Sequence, residues 1–136
     1  MHSHAQMETY GSFDCYVFDS TVIITGYTVD SDSTIVIPPK LGGKAVTEIQ
    51  AGAFNNCTDL TSVTIPNSVT SIDILSFDQC TNLRAVYFEG EAPEVYSVNT
   101  ESIPLFNGAA PGLTIYHRAD AKGWTNPWQG YPTAVY

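Results

Sequence analysis

The chain is expected to fold as a mainly β, right-handed solenoid of short parallel strands, with an N-terminal β-hairpin cap and an aromatic C-terminal cap. Three observations predict this. First, a 23-residue repeat runs through the middle. Val46/Val69, Thr47/Thr70, Ile49/Ile72, Phe54/Phe77, Cys57/Cys80, Thr58/Thr81, Leu60/Leu83 and Val63/Val86 recur, eight identities in 18 aligned positions. A fixed period of about 20 to 50 residues marks a solenoid, in which each unit buries its apolar face only by stacking on the next. Second, short apolar runs ended by proline, Ile35-Val36-Ile37-Pro38 and Val63-Thr64-Ile65-Pro66, read as strands. Third, the flanking segments differ from the repeats and supply the caps that an open array needs.

Residues 1–12 read as a flexible tail, native or added. Met1 to Gln6 is polar, carries His2 and His4, and has no apolar signal-peptide core. One domain is expected over 13–136, with a cap at 13–33, repeats at about 34–110 and a second cap at 111–136. Phe13 to Tyr27 holds two apolar runs around Asp19-Ser20 and reads as a hairpin covering one end of the core. Thr28 to Ser33 is a polar turn.

In the first rung, Ile35 to Ile37 is a strand, Val46 to Ile49 begins a second limb, and Ala51 to Asn56 has room for a single helical turn. Pro38 and Pro66 are 28 residues apart, and the five residues beyond 23 form a loop around Gly42-Gly43. The second rung repeats the pattern with Val63 to Ile65, Val69 to Ile72, and Phe77, Cys80 and Leu83. The third starts at Val86-Tyr87-Phe88, reaches Val95, and diverges over Tyr96 to Pro104 before Leu105-Phe106 restores the phenylalanine position. Leu113 to Tyr116 is a fourth strand, and KGWTNPWQGYP closes the far end.

Alternation along strands assigns the two faces. Inward are Ile35, Ile37, Val63, Ile65, Val86, Phe88, Leu113 and Ile115. One outward column is Val36, Thr64, Tyr87 and Thr114, and a second is Thr34, Ser62, Ala85 and Gly112.

LTSVTIPNSVTSI followed by SFDQCTNL resembles the BspA-like leucine-rich repeat, roughly L-x-S-V-x-I-P-x-S-V-x-x-I-x-x-x-A-F-x-x-C. TVIITGYT, PPKLGGKAVTEIQAGAF and the closing GW…GYP are similar to that family's entry, long first repeat and cap. The resemblance covers about Phe13 to Tyr136. Ser76 stands where alanine is usual, and Asp73-Ile74 replaces a Gly-polar pair, so an exposed Ile74 would make a small apolar spot. The resemblance implies a leucine-rich-repeat solenoid on an extracellular or cell-surface protein. It also implies adhesion or protein binding, and no catalytic motif.

Composition narrows the function. Net charge is −9, with Lys40, Lys44, Arg84, Arg118 and Lys122 the only lysines and arginines. Such a surface repels nucleic acid and anionic membranes. No run of about 18 apolar residues is available to span a bilayer. Cys57 and Cys80 fall one repeat apart and are expected as stacked core thiols, because parallel side chains rarely reach disulfide geometry. Cys15 is expected to be packed as well.

No nucleophile motif, phosphate loop or zinc spacing is present, so neither an enzyme nor a cofactor nor a metal is expected. His117 stands alone as a polar surface residue. Asp30 and Asp32 are too few for calcium and suit a turn. Glu89, Glu91, Glu94 and Glu101 read as a solvated acidic edge, with a patch meeting a basic partner as the alternative.

The aromatic residues carry the strongest functional hint. Trp124, Trp128 and Tyr131 suit packing over the last rung, whereas Tyr87, Tyr96 and Tyr116 are harder to absorb. Exposed tyrosine supplies rigid contact area for a protein or a flat platform for sugar rings. The first expectation is therefore a monomeric, non-catalytic binding module. It would use Thr34, Val36, Ser62, Thr64, Tyr87 and Thr114 with Arg84 and Tyr116 against a protein partner. A carbohydrate-binding module from a larger secreted enzyme is the alternative, stacking sugars on Tyr87, Tyr116, Trp124 or Trp128. A structural spacer in a longer array is the third.

Overall fold

The computed structural model describes residues 6–28, 33–97 and 103–136. The expectations for the first five residues, for Asp30 and Asp32, and for Glu101 lie outside the described residues. Each rung gives one strand to each of two sheets. The first sheet runs β1 (Gln6–Tyr10), β2 (Phe13–Val17), β3 (Thr21–Tyr27), β6 (Lys44–Ile49), β8 (Ser71–Asp73) and β10 (Glu94–Tyr96), with β5 (Lys40–Leu41) paired to β6. The second runs β4 (Thr34–Val36), β7 (Ser62–Ile65), β9 (Ala85–Phe88), β11 (Thr114–His117) and β12 (Thr133–Val135). The second sheet is parallel throughout. In the first, β3, β6, β8 and β10 are parallel, after an antiparallel meander of β1, β2 and β3, and β5 pairs antiparallel with β6.

The repeat sets this register. Ile49 pairs with Ile72, and Ile72 with Val95. Thr70 N donates to Thr47 O and Glu94 N to Thr70 O, both at 2.9 Å, so the ladder climbs one rung at a time. All eight residues assigned inward are buried, as are Val46, Ile49, Val69 and Ile72 from the other sheet. Phe54, Leu60, Phe77 and Leu83 fill the space between, and Cys15, Cys57 and Cys80 are buried free thiols.

Aromatic rings form a column through this core from cap to cap. Phe13 meets Tyr27 at 5.3 Å between centroids, and Tyr27 meets Phe54 at 5.5 Å. Phe77 meets Phe106, and Phe106 meets Tyr131, again at 5.5 Å.

Several expectations are corrected. The tail of 1–12 is shorter than read, because Gln6–Tyr10 is a strand. Its side chains are largely exposed and carry almost no apolar signal, so it is held by its backbone ladder to β2. Tyr10 also packs on the core and lies over Gly42, where a Cβ would stand 2.5 Å from the Tyr10 hydroxyl. The Gly42-Gly43 loop is the tight turn of the β5–β6 hairpin, with both φ values positive.

Ala51 to Asn56 forms turns and not a helical turn. Gly52, Phe54 and Asn56 donate their N–H groups sideways to Leu75, Ser76 and Asp78 of the next rung, so these groups are spent between rungs.

Ile74 is buried and makes no exposed spot. β12 is a strand the sequence reading omitted.

The outward columns also shift. Thr114 pairs with Ala85, and Tyr116 pairs with Tyr87. Thr114 therefore joins Thr34 and Ser62, while Tyr116 joins Val36 and Thr64. A slip of two residues leaves every side chain on its original face, so alternation alone is blind to it.

Candidate functional site

The outward face of the second sheet carries the predicted binding residues in two columns. One is Thr34, Ser62, Ala85 and Thr114, and the other is Val36, Thr64, Tyr87, Tyr116 and Ala134. The first column is a hydroxyl row, with Ser62 Oγ 3.5 Å from Thr34 Oγ1. Val36 is 62% exposed on the edge strand, the condition of a contact residue rather than a core one.

The third and fourth strands counted from β4, which are β9 and β11, turn the second column aromatic. Tyr87 and Tyr116 sit on adjacent parallel strands and stack at 4.7 Å with planes 15° apart. Tyr136, just past β12, stands at a steep angle to both, 5.1 Å from Tyr87 and 6.5 Å from Tyr116. Its hydroxyl donates to Phe88 O at 3.4 Å, and the Arg118 guanidinium lies 3.9 Å above its ring. Burial of its phenol raises the Tyr136 pKa. Tyr136 was absent from the sequence-predicted site. Its signal is a local one, the final aromatic of a strand that was itself missed.

Beside this cluster lies an open groove of about 700 Å³, walled by Arg84, Ala85, Pro111, Gly112, Thr114 and Tyr116 among others. Three predicted residues, Arg84, Thr114 and Tyr116, thus share one concavity. Thr34 and Val36 lie at the opposite edge of the sheet, beside a separate groove of about 440 Å³ floored by Phe13, Tyr27 and Leu41.

Other predicted residues are committed elsewhere. Trp128 is buried, packed at 5.5 Å against Phe88 and 4.8 Å against Trp124, so it has no face for a sugar. Trp124 is half-buried. Its indole N–H donates to Gly90 O at 3.1 Å, and His117 stacks on it at 5.1 Å with planes 3° apart. His117 is consequently part of the cap and not a solitary surface residue, and its Nδ1 lies 3.0 Å from Arg118 O. Tyr96 donates to Glu48 at 2.7 Å, and burial together with that carboxylate holds its phenol well above the usual range. Glu89, Glu91 and Glu94 are exposed, as a solvated edge requires.

The three thiols are buried, and the contact between Cys57 and Cys80 lowers the pKa of the first while raising that of the second. Cys80 Sγ donates to Phe54 O at 3.0 Å, and contact with Cys57 and burial keep it protonated. Burial, helped by Asp14, pushes the Cys15 thiol up to about 11. Among the described residues no three His, Cys, Asp or Glu side chains converge as metal ligands, and no helix is long and apolar enough to cross a membrane.

Comparison with known proteins agrees with this architecture. The family described as "BspA type Leucine rich repeat region (6 copies)" matches residues 27–102, just over half the chain. A search of curated proteins returns no match. Among solved structures, a leucine-rich cell surface protein from Faecalibacterium prausnitzii A2-165 superposes with a TM-score of 0.55 and 28% identity. That match covers 85% of this chain and 27% of the other, so the chain spans about a quarter of its length. The leucine-rich repeat protein of T. pallidum superposes with a TM-score of 0.54 and 18% identity, over 82% of this chain and 71% of that one. This second likeness is one of fold alone.

Proposed function

Because the chain belongs to the BspA-type leucine-rich repeat family, we propose that it is a non-catalytic protein-binding module of a cell-surface or secreted protein. Binding would use the outward face of the second sheet. One observation carries this reading. Tyr87, Tyr116 and Tyr136 form a half-buried cluster on that face, beside the Arg84 groove, and no packing need of the repeat explains them. Tyrosine and arginine are the residues that dominate binding energy where proteins meet. The likeness to the F. prausnitzii cell surface protein favours an extracellular setting.

A protein partner is favoured over a glycan by the state of the rings. Tyr87 and Tyr116 each cover a face of the other, Trp124 is overlain by His117, and Trp128 is buried. A pyranose needs an open ring face, whereas a polypeptide uses ring edges and hydroxyls equally well.

The test presents immobilised protein to a panel of extracellular proteins and, in parallel, to a glycan array. A protein ligand should be retained, and Tyr87→Ala should weaken it by about tenfold or more. Retention of glycans alone, or a protein ligand indifferent to Tyr87→Ala, overturns the reading.

A further inference from the structure

We infer that the partner presents an extended acidic stretch of polypeptide, laid along β9 and β11 with one carboxylate on Arg84 and another on Arg118. This rests on the outward face being the binding surface, and adds the chemistry of what that surface takes.

Arg84 supplies the first argument. Its side chain is exposed at the groove wall, and its guanidinium bonds to no group among the described residues. The chain holds 14 acidic residues against five lysines and arginines, yet none of the groove's lining residues is acidic. An arginine left unpaired among so many carboxylates presents a free fork, whose geometry matches a carboxylate in two parallel hydrogen bonds.

Arg118 supplies the second. β9 and β11 pair from Ala85↔Thr114 to Phe88↔His117. Arg84 precedes the first pair and Arg118 follows the last, so the two cations bracket the strands at opposite ends. With four paired positions between them, the arginines are five residue steps apart, about 16 Å along the strand direction at roughly 3.3 Å per residue. Four or five extended residues span that distance. Arg118 is exposed but held, with its guanidinium over the Tyr136 ring and Nη1 donating to Tyr136 O at 3.4 Å.

The tyrosine cluster lies between the two arginines, where a bound backbone would run. The net charge of −9 repels an acidic ligand at a distance, but that field is screened beyond about 8 Å at physiological salt. At contact, Arg84 is the stronger anchor, because no acidic residue lines its groove, whereas Arg118 has the exposed Glu89 next to it in register.

The test uses the full chain and a labelled, end-blocked peptide of five Glu-Thr repeats, compared with its Gln-Thr counterpart by fluorescence anisotropy. The Glu peptide should bind at least tenfold tighter than the Gln peptide. Arg84→Gln combined with Arg118→Gln should bring the two within about twofold, and circular dichroism should show the fold intact. Tyr87→Ala should weaken both peptides.

Equal binding of both peptides, lost in Tyr87→Ala, would leave the face standing and overturn the acidic partner. Failure of both peptides overturns it too, and the face is then judged on the protein-panel experiment alone. If polygalacturonate binds through Arg84 where the peptide does not, the ligand is an acidic glycan and the inference is wrong.

Discussion

The rings of Phe54 and Phe77 lie parallel, 4.9 Å between centroids with planes 3° apart, one repeat apart in sequence and one rung apart in space. Both are fully buried, and each also contacts the next ring outward, Tyr27 on one side and Phe106 on the other. Removing either ring opens a cavity in the middle of the column. Phe77→Ala is expected to cost about 3–5 kcal/mol, and Phe77→Leu markedly less. Urea unfolding followed by circular dichroism checks this. A loss below about 1 kcal/mol would show that the column is not the spine of the core.

Ser76 is the opposite case. Its hydroxyl is buried with no protein hydrogen-bond partner, at a position where the repeat pattern favours alanine. A buried hydroxyl without a partner forfeits its hydration. Ser76→Ala should therefore raise stability by about 1 kcal/mol, read as an increase in the urea midpoint at unchanged slope. A clear loss of stability would mean the hydroxyl has a partner worth keeping.

β1 can be tested through the turn it leans on. Gly42 and Gly43 have φ values of 59° and 80°, so alanine is disfavoured at both. Only at Gly42 would the added methyl also meet Tyr10. Gly42→Ala should destabilise by about 1 kcal/mol more than Gly43→Ala. It should also speed hydrogen exchange in Gln6–Tyr10. Equal effects of the two substitutions would argue that Tyr10 does not dock there.

Cys15, Cys80, Tyr96 and Tyr131 make the fold sensitive to alkali, against the opposite shift of Cys57, which its contact with Cys80 lowers. Cys15 is pushed up to about 11, and Cys80, Tyr96 and Tyr131 are also raised, chiefly by burial except at Cys80, where contact with Cys57 comes first. Above pH 9 the unfolded chain releases protons that the folded chain retains. The unfolded state then binds fewer protons, so stability falls as pH rises. Below pH 8 these groups are neutral in both states and contribute no slope. The midpoint of thermal unfolding should drop by about 5 °C or more between pH 8 and pH 10.5, and Cys15→Ala should reduce that drop.

The repeat made the interior readable because stacking demands the same residue at the same place. Ile49, Ile72 and Val95 share a register that counting by 23 predicts. The unread parts are those on which the period has no hold. β1 is polar and leans on backbone pairing, and β12 sits in a cap with no second copy to compare. The outward columns were assigned to the correct face but the wrong neighbours, since a slip of two preserves inside and outside. For the site, Arg84, Tyr87 and Tyr116 were visible as departures from the repeat. Tyr136 and the committed state of Trp124 and Trp128 depend on how the cap folds back.

The two ends of the molecule differ, and the difference bears on how it is made. The antiparallel meander extends the first sheet before the first repeat, whereas β12 extends the second sheet after the last. During synthesis the meander therefore leaves the ribosome before the repeats that stack on it. Each later turn then adds onto a finished edge, through bonds that reach back about one rung, as from Thr70 to Thr47, from Thr61 to Ser33 or from Thr114 to Arg84. Growth of this kind proceeds from neighbour to neighbour. The tyrosine face is completed after the repeats, when the strand ending next to Tyr136 arrives.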